Sequence, residues 1–211
     1  MILTKEKALI FRITHISNLP WIFDHGVHCR SSEAQDPDFR QIGNPELIQK
    51  RERHLVPIPP GGVLSDYVSF YFTPLAPMLF NIKTGFKEMI QIPMQEIAIL
   101  VSSVPRLVAR RIAFVLSDRH AYLDSAQFAD DATGLDRIDW GILQARDFQR
   151  DDEDPRKFER YQAEALVHWH LPLDGLLGIT LHGERERARL QNELTRRGLS
   201  LKLVTKPEWY F

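Results

Sequence analysis

The sequence predicts an α+β fold, on three observations. Compact apolar runs of strand length recur along its 211 residues, helical stretches fall between them at irregular intervals, and no regular βαβ rhythm links the two. An ordinary domain holds roughly 100–200 residues, so residues 1–211 are read as a single domain with one core.

The elements follow in order. Ala8 to Ile13 is apolar and β-prone. His15-Ile16-Ser17-Asn18-Leu19-Pro20 then introduces a helix running to about His25, with Ser17 or Asn18 as its N-cap, Pro20 in its first turn and Gly26 ending it. Val27 to Arg30 is extended, and Ser31 to Gly43 is polar with Asp36-Pro37-Asp38, a surface loop before a short helix from Pro45 to about Arg53. Tyr67 to Phe72, rich in aromatic and β-branched residues, reads as a strand that ends at Thr73-Pro74. Ala76 to Ile82 is a turn with a short helix, and Ile97 to Val101 a buried strand. Pro105 to Arg111 reads as a helix or turn, and Ile112 to Leu116 as a second buried strand, with His120 just beyond its end where loops often carry function. Ile138 to Asp154 is a long charged stretch. After Pro155, Phe158, Tyr161, Ala165 and Trp169 fit a helical stripe, while Ala165, Val167 and Trp169 alternate as in a strand. Helix up to Gln162 and strand afterwards is favoured. Ile179 to Leu181 is a short strand, Glu184 to Arg197 a helix ended by Gly198, and Leu199 to Val204 a last strand.

Composition narrows the function. A hydrophobic share of 44% and a charged share of 26% are those of an ordinary globular chain, which disfavours disordered, coiled-coil and fibrous classes. Lys plus Arg number 27 against 28 Asp plus Glu, so bulk charge attracts no polyanion and any nucleic-acid site must be local. Cys29, the only cysteine, has no internal partner and suits a reducing compartment. No apolar run approaches the roughly 20 residues that span a bilayer. A cytoplasmic protein with no membrane segment is expected.

Neither GxGxxG nor GxxxxGK follows a strand, and no GxSxG elbow is present, so Rossmann, P-loop and α/β-hydrolase chemistries drop out. The eight histidines are His15, His25, His28, His54, His120, His168, His170 and His182. His25, His28 and Cys29, or His168 and His170, could start a metal site, but the spacing identifies no further ligands and no metal is expected. Gln162-Ala163-Glu164 opens an apolar strand after a polar and basic loop. If the strand starts there, an amide and a carboxylate share one side at the lip of a sheet, which suits a general base or the stabiliser of a cationic sugar. The plain alternative is a solvated glutamate on a helix face.

Four blocks in order then carry a resemblance. Arg12-Ile13-Thr14-His15-Ile16-Ser17-Asn18-Leu19 is followed by Gly26 eight residues after Asn18. Asp66 to Pro74 continues into Pro77-Met78-Leu79, Asp118-Arg119-His120-Ala121 comes third, and Gln162-Ala163-Glu164-Ala165-Leu166-Val167 closes the set. Together they resemble the DarT family over residues 11 to about 172; any one block alone is weak. The Gln-x-Glu element is also similar to the glutamate motif of ADP-ribosyltransferases in general.

The resemblance implies an ADP-ribosyltransferase fold, with antiparallel sheets split around an NAD cleft and helices at the periphery. It implies an enzyme that takes ADP-ribose from NAD, its co-substrate, and attaches it to a base of single-stranded DNA, thymine being favoured. It further implies a toxin whose partner is a macrodomain antitoxin of the DarG type. Carried onto this chain, Glu164 is the catalytic carboxylate and Arg51 orients NAD and stabilises charge, with Arg53 two positions on as the alternative register. His15, Ser17, Asn18, Gly26, Tyr71 and Met78 join Arg51 around the cofactor. The DNA would meet His120 and a loop from Leu143 to Arg160 that offers Arg146, Phe148, Arg150 and Arg156, with Tyr161 just after it. Asp147, Asp151, Asp152, Glu153 and Asp154 in the same stretch would repel phosphate, so base contacts with a shallow salt dependence are expected. Leu75 departs from the family, which favours a basic residue there. Other readings are transfer to guanine or to a protein acceptor, and a nucleic-acid-binding module without catalysis.

Overall fold

A computed structural model describes residues 2–211, the side chain of Lys87 excepted. The first apolar run becomes β1 (Leu9–His15), and a 3-10 turn over Ile16–Asn18 leads into α1 (Leu19–His25). Gly26 ends α1 at φ 78°, and a Cβ there would meet the Leu171 carbonyl oxygen at 2.6 Å, so both conformation and close packing require glycine. Next come β2 (Val27–His28) and α2 (Pro45–Arg51), whose cap is Asn44: its Oδ1 accepts the Leu47 N–H at 3.0 Å.

The chain continues through β3 (Tyr67–Tyr71), α3 (Pro77–Thr84), β4 (Ile97–Ser103), α4 (Val104–Ala109), β5 (Phe114–Ser117) and β6 (Phe128–Ala129). After α5 (Trp140–Ala145) and α6 (Lys157–Arg160) come β7 (Glu164–His168), β8 (His170–Leu171), β9 (Gly178–Leu181), α7 (Glu184–Arg196) and β10 (Leu203–Thr205). All seven residues of β4 are buried, as an uninterrupted apolar run predicts for a strand covered on both faces.

Among the described residues, eight strands make one sheet in the order β10-β9-β4-β1-β3-β7-β5-β6, and β2 pairs with β8 beside it. Neighbours run antiparallel except β10 and β9. β1 matches β4 over seven positions, from Leu9 opposite Ser103 to His15 opposite Ile97. Against β3 it matches at a single one, Phe11 opposite Tyr71. The expected split therefore lies between β1 and β3, where the ladder lapses and the sheet opens.

The two faces of β3, β7 and β5 have different company. Val68, Phe70, Ala165, Val167, Phe114 and Leu116 alternate into the main core. The opposite face carries Tyr67, Ser69, Tyr71, Glu164, Leu166, Val115 and Ser117, over a small second cluster in which Tyr67, Val115 and Leu166 pack with Val56, Leu64 and Ala121.

Several local expectations are corrected. Asn18 occupies the N-cap position of α1 without a side-chain cap bond, and Ser17 lies within the 3-10 turn. The charged stretch after Ile138 contains α5, started by Asp139, whose Oδ1 accepts the Ile142 N–H at 3.2 Å. β7 begins at Glu164, so Gln162 stands in the preceding turn, where its amide donates to the Phe158 carbonyl at 3.1 Å instead of sharing a strand face with Glu164. The last strand starts at Leu203 and not at Leu199.

Candidate active site

A cleft of about 210 Å³ opens over the seam. Arg12 and Thr14 of β1, Ser69 and Tyr71 of β3, Glu164 of β7, Arg51 of α2 and Met78 of α3 line it, and Gln35, Phe39 and Ile42 of the polar loop close one side. Arg12 spans the opening: its Nη1 donates to the Ser69 carbonyl at 3.0 Å, supplying from a side chain a link that the missing ladder does not.

Glu164 is fully buried at the start of β7, opposite Tyr71 on one side and Ser117 on the other. Its Oε1 accepts the Arg51 Nη1–H at 3.2 Å and the Ala121 backbone N–H at 3.0 Å, and its Oε2 accepts the Arg51 Nη2–H at 3.1 Å. The same Nη2 donates to Ser69 Oγ at 2.6 Å. This is a two-pronged guanidinium–carboxylate pair, the geometry that suits arginine and not lysine. Burial pushes the Glu164 carboxyl upward, but the Arg51 charge, His120, the Arg51 hydrogen bonds and the Ala121 N–H together outweigh it and leave its pKa below the ordinary value. It is an ionised carboxylate that is itself shielded from solvent.

His120 stands against this pair, its Nδ1 3.6 Å from Glu164 Oε1. Burial holds its pKa down despite the carboxylate, with Arg51 and His54 acting in the same direction. Because Nδ1 accepts the Tyr122 N–H at 3.2 Å, the neutral ring carries its proton on Nε2. Burial, aided by Glu164, also raises the Tyr71 phenol, keeping it a neutral donor, and burial beside Arg51 pushes Arg12 down to about 10, still cationic at neutral pH.

Of the residues expected around a cofactor, Arg51, Tyr71 and Met78 line the cleft; His15, Ser17, Asn18 and Gly26 are not among its lining residues. The His15 ring is held between Ser17 Oγ at 2.7 Å and Glu96 Oε2 at 3.0 Å. The Asn18 amide donates to Thr14 Oγ1 and to the Arg40 carbonyl, both at 3.0 Å, while its Oδ1 accepts the Arg40 N–H at 2.9 Å. Asn18 thus ties the loop that walls the cleft to β1.

The DNA-facing expectations divide. His120 meets Glu164, and Arg146, Arg150 and Arg156 are exposed. Tyr161 is fully buried with its hydroxyl on the Leu75 carbonyl at 3.1 Å, so it cannot stack on a base as expected of it. Phe148 packs its ring against Tyr161, Phe80 and Phe211, which makes it an anchor of the loop. Lys157 bonds to Asp147 and Asp151, and Arg160 to Asp139 and Asp154, so Asp147, Asp151 and Asp154 are spent internally while Asp152 and Glu153 stay exposed. Leu75, at the position where the family favours a basic residue, is buried.

Sequence reading missed Arg12, Ser69 and the Ala121 N–H. A charged residue inside an apolar strand and a serine inside an aromatic one were the visible signals for the first two; the third is a backbone group with no signature. Among the described residues no group of three or more His, Cys, Asp or Glu is placed to hold a metal ion, and no helix is long and apolar enough to cross a membrane.

Comparison with known proteins agrees with this arrangement. Residues 11–211 match the family described as "ssDNA thymidine ADP-ribosyltransferase, DarT". A DNA ADP-ribosyl transferase of Escherichia coli O127:H6 is 49% identical over 209 residues, which cover 99% of this chain and 96% of that protein. The solved structure of Thermus sp. 2.9 DarT in complex with ADP-ribosylated ssDNA is similar with a TM-score of 0.89 at 31% identity, covering 98% of this chain and 97% of that one. The complex of the Thermus sp. 2.9 protein with NAD+ gives 0.84 at 32% identity, covering 98% of each chain.

Proposed function

The chain belongs to the DarT family of single-stranded-DNA thymidine ADP-ribosyltransferases, and from that premise we propose that Glu164 and Arg51 carry the transfer of ADP-ribose from NAD to a thymine base. Residues 1–211 act as one transferase domain. The lining fits such a dinucleotide: Arg12 and Arg51 offer cations for its phosphates, Trp21 and Phe39 offer flat apolar surface, and Glu164 offers the one buried carboxylate. NAD, when bound, supplies the ADP-ribosyl group and gives up neutral nicotinamide.

The observation that carries the reading is the asymmetry of the Glu164 oxygens. Oε1 keeps a backbone donor, Ala121, whatever Arg51 does, whereas Oε2 is held by Arg51 alone. A shift of Arg51 toward an incoming anion frees Oε2 as a base while Oε1 stays fixed. Oε2 then takes the proton from thymine N3 as that nitrogen bonds to the ribose C1′ and the C1′ bond to nicotinamide breaks. The carboxylate also opposes the positive charge that builds on the sugar. A positioned base of this kind contributes about 10²–10⁴-fold. Arg51, which stays protonated, opposes the negative charge that develops on the thymine oxygens as N3 gives up its proton and that is cancelled once N3 is bonded to C1′. His120, neutral and with its proton on Nε2, holds the base in this reading, supported by its position 3.6 Å from Glu164.

The chain's role as a toxin restrained by a DarG-type macrodomain antitoxin, and its place in the cytoplasm, follow as parts of the same proposal and rest on the family. Incubation with NAD and paired oligonucleotides with and without thymine, followed by intact mass, tests the chemistry. An ADP-ribose adduct confined to thymine-containing DNA is expected. An adduct on guanine or on protein, or NAD left unconsumed, would overturn it.

A further inference from the structure

We infer that His54 and Tyr122 form a stacking platform for the nucleotide that neighbours the acceptor base; the inference rests on the DNA-modifying reading above. Their rings lie with centroids 5.0 Å apart at 47°, and both side chains remain half-exposed. Neither residue has a part in the Arg51–Glu164 pair, and neither lines the cleft.

What ties this ring pair to the reacting centre is one tripeptide. The His120 ring faces Glu164, the Ala121 N–H holds Glu164 Oε1, and the Tyr122 N–H fixes His120 Nδ1. His120 to Leu123 is a tight turn, closed by the Leu123 N–H donating to the His120 carbonyl at 3.0 Å, so the Tyr122 ring sits on the same turn as the ring that stands 3.6 Å from the catalytic carboxylate. A base seated at Glu164 has its neighbour within reach of this pair.

The platform is rigid. Ala121, Val56 and Leu64 are buried in the second cluster, with Tyr122 packed on its edge. The His54 carbonyl accepts the Leu64 N–H at 2.9 Å, Gly62 accepts the Val56 N–H at 2.9 Å, and Leu55 bridges to Val63. The rings are held in place before any ligand arrives, so little ordering entropy is spent on binding. Leu55, 71% exposed, and exposed Arg53 flank His54 with the apolar and cationic surface that bases and phosphates each need. A ring pair that is open to solvent, next to a site that handles a nucleobase, fits a planar aromatic occupant better than a peptide or a lipid.

The test uses single-stranded oligonucleotides with one thymine and 2-aminopurine on its 5′ or its 3′ side, titrated with the protein in the absence of NAD so that no reaction intervenes. Stacking quenches the probe at one of the two positions in wild type. Tyr122→Ala and His54→Ala each lose that quenching and, with NAD added, raise the KM for DNA on the order of 10-fold, the usual worth of one base–aromatic stack. Tyr122→Phe, which keeps the ring, retains both. Quenching and KM unchanged in His54→Ala and Tyr122→Ala would overturn the assignment, whichever of the two folds better. Wild-type protein that binds and quenches but forms no adduct would sink the transferase reading and leave the platform standing, so the two failures are distinct.

Discussion

Arg51 holds both oxygens of Glu164, at 3.2 and 3.1 Å, across a separation of 113 positions in the chain. One partner comes from the last turn of α2 and the other from the first residue of β7, so the pair closes the mouth of the sheet on the far side of the seam from Arg12. Its two members are unequal in what their loss would do.

Arg51→Ala leaves a carboxylate that is fully buried with the Ala121 N–H as its remaining hydrogen-bond donor and His120, Tyr71 and Arg12 nearby. Breaking a buried pair from one side costs about 3–5 kcal/mol. Urea denaturation at neutral pH should show a loss of that order. Arg51→Lys should recover part of the stability but little of the activity, because an ammonium cannot span both oxygens.

Asn18→Ala removes three bonds that hold Arg40 and Thr14, and with them the anchor of the cleft-wall loop. At roughly 1 kcal/mol net for each bond, a loosened wall should raise the KM for NAD by on the order of 10-fold or more. Steady-state kinetics with varied NAD measure this directly, and an unchanged KM would show that the loop keeps its place without Asn18.

DNA binding should depend only weakly on salt. Lys157 and Arg160 are engaged by aspartates, which leaves Arg146, Arg150 and Arg156 as the open cations of that stretch. With a slope near 0.7 per phosphate contact on single strands, three contacts give a log–log slope of about 2. Titrations from low to physiological salt check it, and a slope several times larger would point to a more extensive basic surface.

Glu164 and His120 are the depressed carboxylate and histidine of the reacting centre, while burial also holds down His28 and His168 elsewhere. Glu164 stays ionised down to below the ordinary carboxylate range, so activity should show no acid limb from it near neutrality, and the stability it contributes is lost only as pH falls through its folded value. His120 is also held down, by burial first. Below about pH 6.5 the unfolded chain takes up a proton that the folded His120 refuses, so stability falls as pH drops from there. Denaturation midpoints measured from pH 8 to 5 should decline over the lower half of that window, and His120→Gln should flatten part of the decline.

Strands and helices with a strong local pattern were legible in the sequence: the apolar run of β4, the aromatic run of β3, and the helix from Glu184 with its glycine stop. What stayed hidden depended on distant partners. Tyr161 looks like a surface ring among charged neighbours, and only the Leu75 carbonyl and the Phe148 ring explain its burial. Asn18 reads locally as a helix cap, yet its bonds go to Arg40, 22 residues away. α5 was lost because its six residues carry too short a period to stand out from a charged stretch. In the site, the motif blocks contain Glu164, Tyr71, Met78 and His120, Arg51 comes from the resemblance outside those blocks, and neither gave a sign of which side chains face the cleft and which turn to structural bonds. Arg12 lay inside a block without a role because only the lapse of pairing between β1 and β3 leaves its guanidinium a gap to cross.

The central claim is that the buried Glu164 carboxylate, released from Arg51 through Oε2, carries the transfer. The most direct test sets wild type beside Glu164→Gln, which keeps the volume and one acceptor oxygen but cannot take a proton, with NAD and thymine-containing single-stranded DNA, and follows adduct mass together with NAD affinity. Wild type should form the adduct, the glutamine variant at least about 100-fold less of it, and both should retain NAD binding. Adduct formation by Glu164→Gln at the wild-type rate would contradict it.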